Sequence, residues 1–109
     1  MLTEKDYCDL ESTKALESLG MNVYTSFCGK DVLKHVLLYE AQKWLREKKN
    51  IQIEIPISFM DNGVWKFSFR IQTPEFYDRA LGEWDSFEEA LLEGIKEAIR
   101  ILKDGINGN

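Results

Sequence analysis

The chain has 109 residues, a formal net charge of −5, 44% hydrophobic residues and 30% charged residues. This length and balance are typical of a single folded domain, 1–109, and exclude a disordered chain. No apolar run approaches the ~20 residues that span a bilayer, and the acidic start does not resemble a secretory signal. We therefore expect a cytoplasmic protein without a membrane partner, whose two cysteines, Cys8 and Cys28, are free thiols.

The first third of the chain predicts one short helix and one extended segment. Residues 1–11 are polar and are expected to fray. A helix is predicted over 12–20, since Ser12 can cap its start and Gly20 can supply a left-handed stop. Residues 22–29 favour a short strand or an extended connection.

A second helix is predicted over 32–49. Its apolar residues recur at helical spacing and define one core-facing stripe: Leu33, Leu37, Ala41, Trp44 and Leu45. Lys48 and Lys49 fall in its last turn, where cations suit the negative end of the helix dipole. Asn50 is an acceptable stop.

Residues 51–73 alternate between apolar and polar side chains with a period of two, which predicts a β-hairpin with one wet face. A two-residue loop at Asn62-Gly63 would place Phe59 opposite Lys66 and mix the two faces. A three-residue loop, 61–63, keeps the apolar residues together, with Trp65 on the core-facing side, and we therefore predict that register. Its pairs are Phe59 with Trp65, Ile57 with Phe67, Ile55 with Phe69, Ile53 with Ile71 and Glu54 with Arg70.

The C-terminal third predicts a possible short strand and a long helix. Pro74 ends the hairpin, and residues 76–84 could form a third strand. Ser86 and Glu89 have the spacing of a capping box, and the following apolar stripe runs to a stop near Gly105. Gly94 lies beside that stripe, which suggests a close approach of the helix to the sheet.

These elements predict a two-layer α+β fold. An antiparallel hairpin or three-stranded sheet would be covered on one face by the two long helices, in the order α-α-β-β-(β)-α. Pro56 removes one ladder donor, so the first arm of the hairpin is expected to be an edge strand or to carry a bulge.

Two segments carry a resemblance, QKWLREKKNIQI at 42–53 and WDSFEEAL at 84–91. In them the chain resembles small uncharacterised proteins encoded in phages and mobile elements of gut anaerobes. The helix at 14–20 also fits them, so the likeness covers most of the chain. The resemblance implies a helix, a hairpin and a closing helix, and it implies no catalytic or binding residues.

The residue types that carry catalysis and cofactor binding form no recognisable motif. One histidine and two cysteines cannot complete a zinc site without carboxylates, and the chain has no phosphate-binding loop or nucleophile motif. Cys28 and His35 could meet, although a packed thiol and an ordinary histidine explain them better. The acidic run from Glu83 to Glu93 is better explained by helix capping than by a divalent cation. We therefore expect no metal, no cofactor and no enzymatic activity.

Two functions from different classes are compatible with the sequence. The first is a small accessory module that binds a protein partner or a second copy of itself, because acidic helix faces suit a basic partner. The second is a nucleic-acid-binding module with double-stranded-RNA-binding-like topology. We rank it lower because the start of the last helix is acidic rather than basic. Nucleic acid would map to a basic ridge, Lys43, Arg46, Lys48 and Lys49.

A contact surface is predicted on the polar face of the hairpin. Helices on the other face would leave Glu54, Lys66 and Arg70 open to solvent. Phe76 and Tyr77 follow directly and would add aromatic anchors of the kind enriched at interfaces. These five residues are the predicted partner contact.

Overall fold

A computed structural model describes residues 4–75, 77–79 and 82–107. A 3-10 turn at Glu4–Asp6 precedes the regular elements. They are α1 (Leu10–Ser18), β1 (Tyr24–Cys28), β2 (Asp31–His35), α2 (Leu38–Lys48), β3 (Gln52–Glu54), β4 (Ile57–Asp61), β5 (Val64–Phe67), β6 (Arg70–Gln72), β7 (Tyr77–Arg79) and α3 (Phe87–Asn107). The predicted α+β class is confirmed, with more strands than the sequence indicated.

The segment before α1 is tied to the fold at Cys8. The Cys8 amide donates to the Val36 carbonyl at 3.0 Å, and the Cys8 side chain is buried. α1 begins before the predicted start because Asp9 caps it, accepting a 2.8 Å hydrogen bond from the Ser12 amide. Gly20 has a φ of 106°, which confirms the predicted left-handed stop.

The predicted second helix is wrong over its first six residues. β2 occupies Asp31–His35 and pairs antiparallel with β1 through a two-residue turn at Gly29-Lys30. Leu33, predicted in the core, is 54% exposed. The helix starts at Leu38, where the Glu40 carboxylate accepts a hydrogen bond from the Leu37 amide.

The predicted hairpin over 51–73 is divided between two sheets. Its base forms β3 and β6, and β7 adds to the other side of β6, which confirms the possible third strand. The predicted pairs Ile53 with Ile71 and Glu54 with Arg70 are present. Its tip forms a separate two-stranded sheet of β4 and β5.

The predicted three-residue loop is wrong. β4 and β5 are joined by a two-residue Asn62-Gly63 turn, in which both residues have positive φ, 50° and 78°. These angles match a type I′ turn, whose twist suits a hairpin. Phe59 is therefore the Cα partner of Lys66, whereas Ile57 keeps its predicted partner Phe67. A bulge between Ile57 and Phe59 absorbs the one-residue difference.

The core lies between α3 and the β3–β6 base, with α1 and α2 packed beside α3. Among its fully buried side chains are Leu16, Leu45, Ile53, Ile71 and Ile95. A capping bond confirms the predicted start of α3, since the Glu89 amide donates to Ser86 Oγ at 3.1 Å. The helix continues through Gly105 to Asn107, past its predicted end.

Gly94 is the point of closest approach between α3 and the sheet. A Cβ atom there would lie 2.9 Å from Ile53 Cγ2 and 3.3 Å from Phe69 Cβ. Both neighbours are buried in the core, and the Ile53 methyl sits on a branched carbon that cannot swing aside. The absence of a side chain at position 94 therefore sets the distance between the layers.

Gly94→Ala tests this spacing. We expect a net loss of stability, because an overpacking cost of about 1–3 kcal/mol exceeds the helix-propensity gain of about 1 kcal/mol. Gly105→Ala in the same helix is the matched control, since nothing lies within 4 Å of its Cβ position. The control should be neutral or slightly stabilising. Urea unfolding measures the stability of both variants. An equal gain in the free energy of unfolding for the two would contradict the packing argument.

Candidate interaction surfaces

The structure brings only part of the sequence-predicted contact together. Glu54 and Arg70 are cross-strand partners in β3 and β6, with 3.6 Å between Glu54 Oε2 and Arg70 Nη1. Lys66 belongs to the other sheet, in β5, and forms an ion pair with Asp85. Phe76 lies outside the described residues, and for Tyr77 only the backbone, at the start of β7, is described.

A different apolar surface is formed by the β4–β5 hairpin. Ile57 and Met60 are three residues apart and would normally point to opposite faces of a strand. The bulge between them restores both to the same face, because Ile57 pairs with Phe67 and Met60 pairs with Trp65. Phe67 in turn contacts the ring of Phe87 at the start of α3, with 6.4 Å between centroids. We call these five residues the hairpin face.

Four members of the hairpin face are largely open to solvent. Ile57 is 55% exposed, Met60 and Trp65 are 49% exposed, and Phe87 is 43% exposed. The predicted core position of Trp65 is therefore wrong. The hairpin is held in place from its other side, where Lys66 pairs with Asp85, and at its edge, where Phe67 and Trp84 exchange backbone hydrogen bonds at 2.8 and 2.9 Å.

The hairpin face was not predicted from the sequence. The predicted register was the one that keeps the apolar residues together on a buried face. The signal that could have found the hairpin face was the Asn62-Gly63 dipeptide, the strongest short-range indicator of a type I′ hairpin. Accepting that turn forces Phe59 to pair with Lys66 and implies a bulge further along the arm. Such bulges are common where an edge strand changes the direction of its side chains.

A cleft of about 680 Å³ lies elsewhere on the molecule, between the N-terminal segment, β2 and the first turns of α3. Its lining includes apolar groups from all three elements, among them Tyr7, Cys8, Leu33 and Leu92. The volume falls within the range of ligand-binding pockets. Sequence reasoning missed the cleft because it assigned the β2 residues to a helix.

His35 belongs to the β2 wall of the cleft. The Tyr24 ring stacks on it at 5.8 Å, and the Tyr7 ring meets it edge-on at 5.6 Å. Its Nε2 is 2.8 Å from Ser26 Oγ, and its buried Nδ1 has no hydrogen-bond partner within the part of the chain that is described. The Tyr24 hydroxyl donates to Glu40 at 2.8 Å, which raises the pKa of Tyr24. These contacts tie β2 to β1 and to the N-terminal segment, and they tie β1 to α2.

The charges around the cleft are predominantly negative. Glu4, Glu88 and Glu89 line it and form no ion pair with another described residue. Two other lining charges are compensated in pairs, Lys34 by Glu17 and Asp9 by Lys96. Burial pushes the pKa of Asp9 upwards, but hydrogen bonds from Ser12 and from Lys96 outweigh burial and leave that pKa below its ordinary value.

Cys8 also lines this cleft, and its thiol is held in the protonated form. Burial, with a smaller contribution from the charge of Asp9, raises the pKa of Cys8 to about 12. A thiol becomes a strong nucleophile or metal ligand only as a thiolate. The environment of Cys8 therefore favours a packing role.

Two other sequence candidates have definite positions. Lys43, Arg46 and Lys48 are exposed along α2, and the Lys49 ammonium lies 5.5 Å from the centre of the Trp44 ring. Three of the four cations of the predicted ridge are therefore exposed on α2, and the fourth is engaged on an aromatic ring. Within residues 4–75, 77–79 and 82–107, no group of three or more His, Cys, Asp or Glu residues is arranged to hold a metal ion.

Comparison with protein-family models, with curated proteins and with solved structures finds no match. The resemblance to proteins of phages and mobile elements therefore stays a prediction. In the described part of the chain, no helix combines the length and apolar character needed to cross a membrane.

The buried thiol predicts a specific pH dependence of stability. The unfolded chain loses the Cys8 proton near its ordinary pKa of 9.0, whereas the folded chain retains it to about pH 12. The free energy of unfolding contributed by Cys8 should therefore fall by about 1.4 kcal/mol per pH unit between these values.

Cys8→Ala removes this titration, so the pH dependence of its stability reports the contribution of all other titrating groups. Urea unfolding between pH 8 and 10.5 should show the wild type losing stability more steeply than the variant above pH 9. Parallel profiles for the two proteins would contradict the assignment.

Proposed function

We propose that this protein is a non-catalytic interaction module that binds a protein partner through the hairpin face. The observation that carries the proposal is the exposure of Ile57, Met60, Trp65 and Phe87 on one continuous surface. Contiguous exposed apolar patches are often functional and mark interaction sites, whereas isolated exposed hydrophobic residues need no such explanation. The resemblance to small proteins of phages and mobile elements points to the same accessory role.

The composition of the hairpin face supports a protein rather than a nucleic acid as the partner. Tryptophan, methionine and phenylalanine are enriched in the buried centres of protein interfaces, and charged residues are depleted there. All five members of the face are uncharged, and the ion pair of Lys66 with Asp85 lies on the opposite side. Nucleic-acid surfaces instead depend on cations that neutralise phosphates.

The local geometry also supports a pre-organised surface. Met60 and Trp65 form a non-hydrogen-bonded cross-strand pair, in which the side chains approach closely and restrict each other. The type I′ turn and the bulge fix the register of this pair. A surface that is ordered before binding loses less side-chain entropy when a partner docks.

Trp65→Ser tests the hairpin face. Tagged wild-type protein retained on beads should recover a partner from its native host at near-equal amount, and the variant should lose most of it, because a central aromatic anchor contributes at least about 2 kcal/mol. Val64→Ser is the matched control, since Val64 is adjacent, 51% exposed and on the opposite face of β5. Thermal unfolding of both variants checks that they fold.

Other variants separate the remaining hypotheses. Capture that survives Trp65→Ser but is lost in Arg70→Ala with Tyr77→Ala would place the contact on the sequence-predicted surface instead. Recovery that is abolished by nuclease would support the nucleic-acid alternative. In that case Lys43→Ala with Arg46→Ala should weaken it.

A further inference from the structure

We infer that the cleft beside β2 is a second binding site, one that takes an extended peptide segment carrying alternating apolar and basic side chains. The site is separate from the hairpin face and does not depend on the function proposed for it. Three independent observations support it: the free edge of β2, the apolar lining groups, and the uncompensated carboxylates that also line the cleft.

The backbone of β2 has one unpaired edge. A two-residue turn makes Cys28 and Asp31 a hydrogen-bonded pair, so the alternation of the ladder turns the N–H and C=O groups of Val32 and Lys34 away from β1. In the described residues, no other strand pairs with β2 along this edge. Unpaired strand edges receive extended peptides by strand addition.

Just beyond β2, the same edge already bonds to the backbone of the N-terminal segment. By the same alternation Val36 also faces outward, and its carbonyl accepts the Cys8 amide at 3.0 Å beside the bridge between Tyr7 and Leu37. This contact closes one end of the open stretch. An incoming segment would therefore occupy the edge between the turn and residue 35 and stop at Tyr7.

The cleft lies against this stretch of β2 and would receive the apolar side chains of the segment. Leu33 is 54% exposed and lines the cleft, with Leu92 of α3 among the other lining groups. Side chains alternate along an added strand, so every second residue would enter the cleft. A volume of about 680 Å³ accommodates several aliphatic side chains.

The uncompensated carboxylates that line the cleft favour basic residues at the remaining positions of the segment. Three lining carboxylates, Glu4, Glu88 and Glu89, have no ion-pair partner among the described residues. Among the lining cations, Lys5 alone also lacks an ion-pair partner among the described residues. Lysine or arginine beside the apolar side chains would compensate this excess. An acidic segment would meet like charges and be rejected.

The test uses a synthetic peptide, acetyl-(Lys-Leu)₃-amide, with acetyl-(Glu-Leu)₃-amide as its charge-swapped control. Titration into isotope-labelled full-length protein, followed by amide chemical shifts, should show saturable binding of the basic peptide that weakens with salt. The shifts should centre on Val32, Leu33, Lys34 and Leu92. The acidic peptide should bind at least fivefold more weakly.

Matched variants locate the site. Leu33→Ser should weaken binding of the basic peptide at least fivefold, whereas Val32→Ser, with 55% exposure and outside the cleft, should not. Glu88→Gln with Glu89→Gln should weaken it likewise, and Glu47→Gln, an exposed carboxylate on α2, should leave it unchanged.

Three results would overturn the inference: no saturable binding of the basic peptide, equal affinity for both peptides, or equal losses from Leu33→Ser and Val32→Ser. Trp65→Ser should not change the affinity for this peptide, because Trp65 lies in the hairpin face. The outcome is therefore independent of whether the hairpin face binds a partner protein.

Discussion

The contact of α3 with the sheet at Gly94 fixes the arrangement of the two layers. Only a residue without a side chain lets the helix backbone come within van der Waals distance of Ile53 and Phe69. Because Ile53 and Phe69 come from the two arms of the chain that meet in the β3–β6 base, the helix holds both arms at once. α1 and α2 pack beside α3, and α2 also contacts β3.

The β4–β5 hairpin, which extends from the β3–β6 base, is governed by a different constraint. The Asn62-Gly63 turn dictates one register and the base dictates another, and they differ by one residue. The chain resolves this conflict with a bulge after Ile57 rather than by changing either end. The bulge has a cost in ladder hydrogen bonds, and its consequence is an apolar face that α3 does not cover.

Predictions that depend on local residue preferences or on one regular pattern were accurate. Predictions that depend on contacts between distant segments were not. The Ser86 cap, the Gly20 stop and the close approach at Gly94 were predictable because each depends on a local residue preference or on a long, regular stripe. The pairing of Glu54 with Arg70 was predictable from period-two alternation. β2 was not, since its apolar residues also fit a helical spacing and its strand form depends on pairing with β1.

For the binding surfaces, sequence patterns were less informative. Alternation identifies apolar residues but does not say whether an element covers them, so Trp65 and Leu33 were both expected in the core. Their exposure depends on where the two hairpins extend relative to α3, which is a property of the whole fold. Lys66 was expected on the same polar face as Arg70, but it lies in the other sheet, where it pairs with Asp85.

Both candidate surfaces lie on hairpins that project from the core. The radius of gyration is 14.9 Å, above the value of about 13 Å expected for a compact chain of this length. Extents of 47, 40 and 20 Å describe a flat molecule rather than a sphere. Such a shape leaves strand edges and faces exposed to solvent. Exposed strand edges pair non-specifically with other chains unless structural features block that pairing.

The two hairpins limit that pairing differently. In the β4–β5 hairpin, Pro56 and the bulge disturb the backbone edge, so its apolar side chains rather than its hydrogen-bonding groups are available for contact. In the β1–β2 hairpin the edge is regular, but the Cys8 contact closes one end and the carboxylates of α3 stand beside the rest. The first arrangement suits a preformed apolar partner surface, and the second suits an extended basic segment. This difference in edge chemistry is why we assign the two surfaces to different classes of partner.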